Sequence, residues 1–218
     1  MINFDAYPLR DVVEILLLDM TTKRNILLDG KQLLKKNLSS IMPRALKSDA
    51  EKSLRTRTQA EVFTPSRVVK FMVDAIDDGK IDTRWLEIAC GEAPFITNRY
   101  DAETGEFVSE PDRVGVLDRK LRLAKNFDEA KRALQSVYGY ELLGDSLIIA
   151  RANVLLSFVE RVGDIDIKDL AEAAEIVAWN FFQYDALNPP PAQGSIFDEH
   201  KPPTLKDWLD GGEFIFGR

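Results

Sequence analysis

Apolar residues along this chain fall in short blocks whose spacing changes, and that spacing predicts the order of elements. Val12, Val13, Ile15, Leu16 and Leu17, within Asp5 to Asp19, fit either a short helix or a buried strand. Ile26-Leu27-Leu28 runs into the turn signal Asp29-Gly30, and Lys31 to Ile41 reads as a basic amphipathic segment stopping before Pro43. Ser53 to Glu61 is polar and is expected to be a loop or a frayed helix. Ser66 is placed to cap a helix from Arg67 to about Asp78, with Val69, Met72, Val73 and Ile76 on one face and Gly79 as its stop.

Trp85-Leu86-Glu87-Ile88-Ala89 predicts a short strand that runs straight into Cys90-Gly91. Phe95 to Val108, with Thr104-Gly105 inside, predicts a small hairpin, and Leu123 to Val137 predicts a helix. Ser136 to Glu141 reads as the next strand; Asp145 is placed to cap an apolar helix from Ser146 to about Val159. Ile167 to Ala174 is amphipathic, and Ile176 to Tyr184 reads as a third strand ending at Asp185. After Leu187, Asn188-Pro189-Pro190-Pro191 and Lys201-Pro202-Pro203 mark a proline-rich tail with no room for three further strands. The order strand, helix, strand, helix, strand predicts an α/β fold with a mainly parallel sheet. Its ligand site is expected where loops leave the carboxyl ends of the strands.

Composition narrows the class. With 218 residues, 45% hydrophobic and 30% charged, the chain is neither collagen-like nor wholly disordered. One cysteine cannot form an intrachain disulfide, and one histidine beside it cannot complete a standard zinc site, so no metal is expected. A reducing, cytoplasmic setting is the default expectation. The longest early apolar run, Ile15 to Leu18, lies between Glu14 and Asp19, so neither a signal peptide nor a membrane span is expected. The net charge of -7 hides an asymmetry: Thr21 to Lys70 holds 12 basic and 4 acidic residues, leaving 17 basic and 32 acidic elsewhere. The basic arm from Lys23 to Lys70 is therefore a candidate contact for DNA. The alternative is that Lys31, Lys35, Lys36, Lys47, Lys52, Arg55 and Arg57 form a solvated helical face.

Four features that bear on chemistry follow one another: Phe63-Thr64-Pro65 opening a helix, Glu87-Ile88-Ala89-Cys90-Gly91 ending a strand, Gly139-Tyr140-Glu141 ending the next, and Tyr184-Asp185-Ala186-Leu187 ending a third. Each has an ordinary structural alternative. Glu141 and Asp185 could each cap a neighbouring helix, Thr64-Pro65 could simply start one, and Cys90 fits a small buried residue better than a nucleophile.

Taken together the series resembles the N6-adenine DNA methyltransferases of restriction-modification systems, which use S-adenosylmethionine. That family has F-x-T-P before its first helix, matched by Glu61-Val62-Phe63-Thr64-Pro65 except that Phe63 adjoins Thr64. Its D-P-A-C-G-S-G-x-F loop is matched by Glu87 to Phe95, with Glu92 and Ala93 in place of Ser-Gly. The resemblance implies a Rossmann-like class I methyltransferase sheet, with 61–187 as the cofactor-binding domain between an N-terminal basic arm (1–60) and a C-terminal tail (188–218). It also implies that the loop at Glu87, Ala89, Cys90 and Gly91 holds the methionine part of the cofactor. Glu141 would accept the ribose hydroxyls, Asp185 the adenine amino group, and Phe63, Thr64 and Pro65 would cover the methionine end.

The family's catalytic N-P-P-Y or D-P-P-Y follows a separate later strand. Here Asn188 and Pro189 are the corresponding acceptors, but they follow Asp185 at once, with Pro191 where the stacking aromatic stands. The segment 96–137 is longer than a simple dinucleotide-type unit requires. Pro43-Arg44-Ala45-Leu46, Ala60 to Pro65, Leu86 to Pro94, Leu117 to Leu121 and Tyr138 to Glu141 are similar to short bacterial and phage-borne proteins labelled restriction endonuclease or modification subunit M. The expected function is an S-adenosylmethionine-dependent adenine-N6 DNA methyltransferase-like protein. Its rival is a catalytically degenerate cofactor- or DNA-binding module working with a restriction or specificity subunit. A third option places a different substrate at Tyr100, Asp101 and Asp118 in the insertion.

Overall fold

The structure is a computed structural model that describes residues 10–28, 31–32, 41–62, 64–189 and 202–217. The ambiguous first block is a helix, α1 (Arg10–Leu17), which buries Val12, Leu16 and Leu17. Two antiparallel ribbons follow: β1 (Leu18–Asp19) with β2 (Arg24–Asn25), and β3 (Leu27–Leu28) with β4 (Lys31–Gln32). Asp19 shapes the first turn by accepting from the Thr21 amide at 3.0 Å and its hydroxyl at 2.6 Å. Ile26 between the ribbons is fully buried. Residues 10–28 thus belong to the core rather than to an arm. Lys35 and Lys36, and most of the basic segment from Lys31 to Ile41, lie outside the described residues.

The polar stretch expected as a loop or a frayed helix is helix α2 (Asp49–Gln59). Its start is written in Ser48 and Glu51, a capping-box spacing, and the Ser48 hydroxyl accepts the Glu51 amide at 3.3 Å. Helix α3 (Ser66–Ile76) is capped by Pro65 rather than Ser66, which is its first helical residue. Only half of its expected apolar face is used: Val69 and Val73 are buried, while Met72 and Ile76 are exposed.

Three parallel strands form the sheet, in the order β5 (Trp85–Glu87), β6 (Val137–Glu141) and β7 (Phe181–Gln183). The chain is thus of the mixed α/β class. Helices α4 (Val116–Leu123) and α5 (Phe127–Gln135) carry it from β5 to β6; α6 (Gly144–Val162) and α7 (Ile167–Asn180) carry it from β6 to β7. Both crossovers step the same way across the sheet, so the right-handed rule puts all four helices on one face. Val137 and Phe181 look into that layer and share its core with Leu117, Leu134, Leu147 and Phe158.

Three element expectations need correction. The helix expected from Leu123 to Val137 is the shorter α5: α4 ends at Leu123, and Asn126 starts α5 by accepting the Glu129 amide at 2.9 Å. Asp145 lies inside α6, whose cap residue is Leu143. The third strand is only three residues long, since α7 continues through Ile176 to Asn180. Buried Arg151 explains that extension. Its guanidinium donates to the Ala178 carbonyl at 3.0 Å and to the Phe181 carbonyl at 2.8 Å, satisfying acceptors that a helix end leaves open. It also reaches the Leu16 and Leu18 carbonyls at 2.7 and 2.9 Å, tying α1 to the sheet.

The other sheet face carries Tyr138, Tyr140, Phe182 and, just beyond β7, Tyr184. It is covered by part of the segment expected as an irregular tail: β8 (Thr204–Lys206) and β9 (Glu213–Ile215) form an antiparallel hairpin. Tyr138 donates its hydroxyl to the Lys206 carbonyl at 2.9 Å, and Phe216 packs edge-on against Tyr140, Phe182 and Tyr184. The predicted hairpin in Phe95 to Val108 reduces to one antiparallel bridge, Tyr100 to Phe107. No helix among the described residues is long and apolar enough to cross a membrane.

Candidate functional site

The carboxyl ends of the three strands meet in one loop cluster. After Glu87 the chain turns sharply, and Ala89, Gly91 and Ala93 take φ values of 51°, 56° and 62°. These lie in the left-handed region, which a Cβ disfavours by roughly 1–2 kcal/mol. Alternate left-handed residues are therefore held by their surroundings. Cys90 donates its amide to the Tyr140 carbonyl at 2.8 Å, and Ala93 donates to the Cys90 carbonyl at 2.7 Å. Gly91 donates to Glu141 Oε2 at 2.8 Å. Ala93 stands where the resembled loop has its second glycine, and its backbone keeps a glycine conformation.

Three carboxylates surround this turn, each with different hydrogen-bond partners. Glu87 is enclosed beneath it, and its Oε2 has no hydrogen-bond partner. Burial pushes its acid well above the usual carboxylate range; the Phe95 and Ile96 amides offset this in part, while the Glu141 charge adds to it. Glu141, at the end of β6, accepts Gly91 with one oxygen and the Leu143 amide, at 2.9 Å, with the other. Glu92 accepts the Arg44 amide at 2.6 Å, and burial raises it to about 7. Cys90 is buried, and burial beside Glu87 and Glu141 pushes its thiol well up, which removes it as a nucleophile near neutral pH.

Asp185 sits just past β7, as expected, but is engaged locally. Its Oδ1 accepts the Leu187 and Asn188 amides at 3.0 Å, and its Oδ2 accepts the Asn188 side-chain amide at 3.0 Å. The Asn188 side chain, with these amides, holds the Asp185 carboxyl below its ordinary range. The structure thus joins Asn188 to Asp185, while Pro189 is exposed beyond them. Thr64 and Pro65 lead into α3, and no hydrogen bond among the described residues links either to Glu87, Gly91, Glu141 or Asp185. Phe63 lies outside the described residues.

The basic segment supplies a cluster that the sequence reading missed. Glu61 accepts Arg44 at 2.5 Å and Arg55 at 2.7 Å; Asp145 accepts Arg55 at 2.9 Å and Lys47 at 3.3 Å. Burial alone would raise Glu61, but Arg55 and Arg44 outweigh it and hold the acid low. Arg44, Lys47 and Arg55 are thus neutralised inside the fold, so these three are not part of a solvated face. Lys23 and Arg57 remain exposed. The signal available in sequence was the acid Glu61 six residues after Arg55.

The insertion brings Tyr100 and Asp101 into a pocket with Glu92, Thr97, Arg99 and Asn153, but not Asp118. Asp118 is buried in α4 and binds the Thr97 hydroxyl at 2.8 Å and the Asn98 amide at 3.2 Å; burial raises it to about 6. Asp101 holds a turn through the Glu103 and Thr104 amides and accepts the Ser66 hydroxyl at 2.8 Å. Tyr100 packs on Phe107. All three residues also have structural partners.

Comparison with protein-family models, with curated proteins and with solved structures finds no match to this chain.

Proposed function

We propose that this chain binds S-adenosylmethionine at the carboxyl ends of β5, β6 and β7, as the cofactor-holding component of an adenine-N6 DNA methyltransferase-type assembly. The observation that carries the proposal is the left-handed turn Ala89 to Ala93, locked onto Glu141 and lying over the Glu87 carboxyl, whose Oε2 has no hydrogen-bond partner. A backbone that turns this tightly lets a ligand approach closely. An acid oxygen left open in a buried place favours a cationic guest, and the sulfonium and ammonium groups of S-adenosylmethionine supply positive charge. Glu87 and the turn backbone would hold the methionine part, Glu141 the ribose, and Asp185 the adenine. When bound, the cofactor supplies an electrophilic methyl group.

The module role is favoured over a complete transferase by the place of Asn188 in the chain. Asn188 donates its side-chain amide to Asp185 Oδ2 and stands directly after β7, in a surface turn rather than after a separate strand of the sheet. Base polarisation is then left to another polypeptide. The test is to incubate the chain with tritiated S-adenosylmethionine and adenine-containing duplex DNA while following cofactor binding by thermal shift. The proposal expects a raised melting temperature without label in DNA. Label in DNA that Asn188→Ala abolishes would establish the complete enzyme instead. An unchanged melting temperature would remove the cofactor from the account.

A further inference from the structure

A cavity lies between residues 43–46 and the chain that runs from Glu92 to Gly105. One face of α6 builds its back wall. Asn153, Ser157 and Glu160 recur there at helical spacing, and each takes one residue of the segment after the turn. Asn153 donates to the Glu92 carbonyl at 3.2 Å, Ser157 shares a hydrogen bond of 2.6 Å with the Thr97 hydroxyl, and Glu160 binds Arg99 at 2.6 Å. Glu87, Glu141 and Asp185 do not line the cavity. Its water-accessible volume is about 40 Å³, room for about three water molecules at ~10–15 Å³ each.

Two acceptors stand side by side in this cavity without a matching donor. Asn153 is only 5% exposed, and its Oδ1 has no hydrogen-bond partner. Glu92 accepts the Arg44 amide with Oε1 at 2.6 Å but forms no ion pair among the described residues. Burial lifts its acid to about 7, aided by the charges of Glu61 and Asp145; the Arg44 amide and Lys47 offset this only in part. Arg99 also lines the cavity, with its Nε open, but its charge is matched by Glu160, while Asp101 adds a second negative charge. The balance favours a positively charged guest that donates hydrogen bonds. Pro43, Leu46 and Pro94 supply apolar wall, which suits a short alkyl chain behind that charge.

The wall at 43–46 also offers a way in. Residues 44–46 and helix α2 after them bury no side chain, and this segment is held to α6 by Arg55 and Lys47 on Asp145. Elements with so little buried apolar contact open at low cost.

We infer that this cavity is a binding site for a small primary alkylammonium, whose N–H groups donate to the Glu92 carboxylate and Asn153 Oδ1 while its chain lies against Pro43, Leu46 and Pro94. The inference stands apart from the cofactor reading, because it uses none of the side chains assigned to S-adenosylmethionine.

Titration of the full chain with ethylammonium chloride at pH 8, followed by ligand-observed NMR, tests it. At that pH Glu92 is above its value of about 7, and an alkylammonium is still charged. Saturable binding in the millimolar range is expected of so few atoms. Tetramethylammonium chloride, a cation without N–H donors, and sodium acetate should not bind. Glu92→Gln keeps an acceptor for the Arg44 amide but removes the charge, and should weaken ethylammonium at least tenfold with an unchanged circular dichroism spectrum. Leu46→Trp, which fills the cavity from a half-exposed position, should abolish binding and serves should the Glu92 variant fail to fold. Absence of saturable ethylammonium binding would overturn the site, as would equal binding of tetramethylammonium or an affinity that both variants leave unchanged. Acetate binding in place of ethylammonium would overturn it too and assign the cavity to an anion at Arg99.

Discussion

The Gly91 amide donates to Glu141 Oε2 at 2.8 Å across 50 residues of chain. Because the Leu143 amide takes the other oxygen, one carboxylate fixes the loop after β5 and the loop after β6 together. Charge-assisted bonds of this kind contribute about 1.5–3 kcal/mol each when a partner would otherwise be left buried. Glu141→Ala should therefore lower unfolding stability by about 2 kcal/mol or more, read as a reduced midpoint in urea with an unchanged slope.

Arg151 is the second long-range tie. Fully buried, it serves four backbone carbonyls from α1, β1, α7 and β7, and burial lowers it to about 10 while leaving it charged near neutral pH. Arg151→Met would orphan those carbonyls, with an expected loss of about 3–5 kcal/mol. Arg151→Lys should recover only part of it, because an ammonium lacks the planar fork. Chemical denaturation of the two variants checks the ranking.

Two buried acids give opposite pH dependences. Glu61 is held below its ordinary value by arginines, so its contribution is present above the unfolded value near 4.3 and is lost as pH falls through the lower folded value. Glu92 is raised to about 7, so the folded state keeps its proton longer than the unfolded chain does. Its contribution is full below about 4.3 and is lost as pH rises through about 7. Glu92→Gln should flatten the fall in stability between pH 5 and 7, and Glu61→Gln should weaken the fall at lower pH. Melting temperatures across pH 3 to 8 for the three proteins decide it.

Ala89 and Ala60 hold left-handed backbones at exposed positions, with φ of 51° and 52°. Glycine at either site relieves the Cβ strain, partly offset by added unfolded-state entropy. Ala60→Gly, at the end of α2, should raise stability by about 0.5–1 kcal/mol. Ala89→Gly should do the same and, if the turn is a ligand site, alter cofactor affinity, whereas Ala60→Gly should leave affinity unchanged. Paired unfolding and binding titrations separate the two effects.

The strand ends were legible because Glu87, Glu141 and Asp185 each follow a short apolar run, and parallel topology follows from helices between strands. The extent of α7 was not, since Ile176 to Trp179 suits a strand as well as a helix until a distant Arg151 satisfies the helix end. That lone arginine in the apolar stretch from Leu147 to Leu156 was nevertheless a visible signal of a buried polar role. The fate of the basic segment was hidden for a different reason. Charge counting cannot show that Arg44, Lys47 and Arg55 turn inward onto Glu61 and Asp145. The C-terminal hairpin was obscured by the prolines before it, whose effect on the chain ends before Thr204.

Calorimetric titration of the full chain with S-adenosylmethionine, in parallel with Glu141→Ala, tests the central claim most directly. The account predicts one saturable binding event for the wild type and at least tenfold weaker affinity for the variant at a temperature where both are folded. Absence of binding heat for the wild type at two temperatures, with no change in its melting temperature, would contradict it.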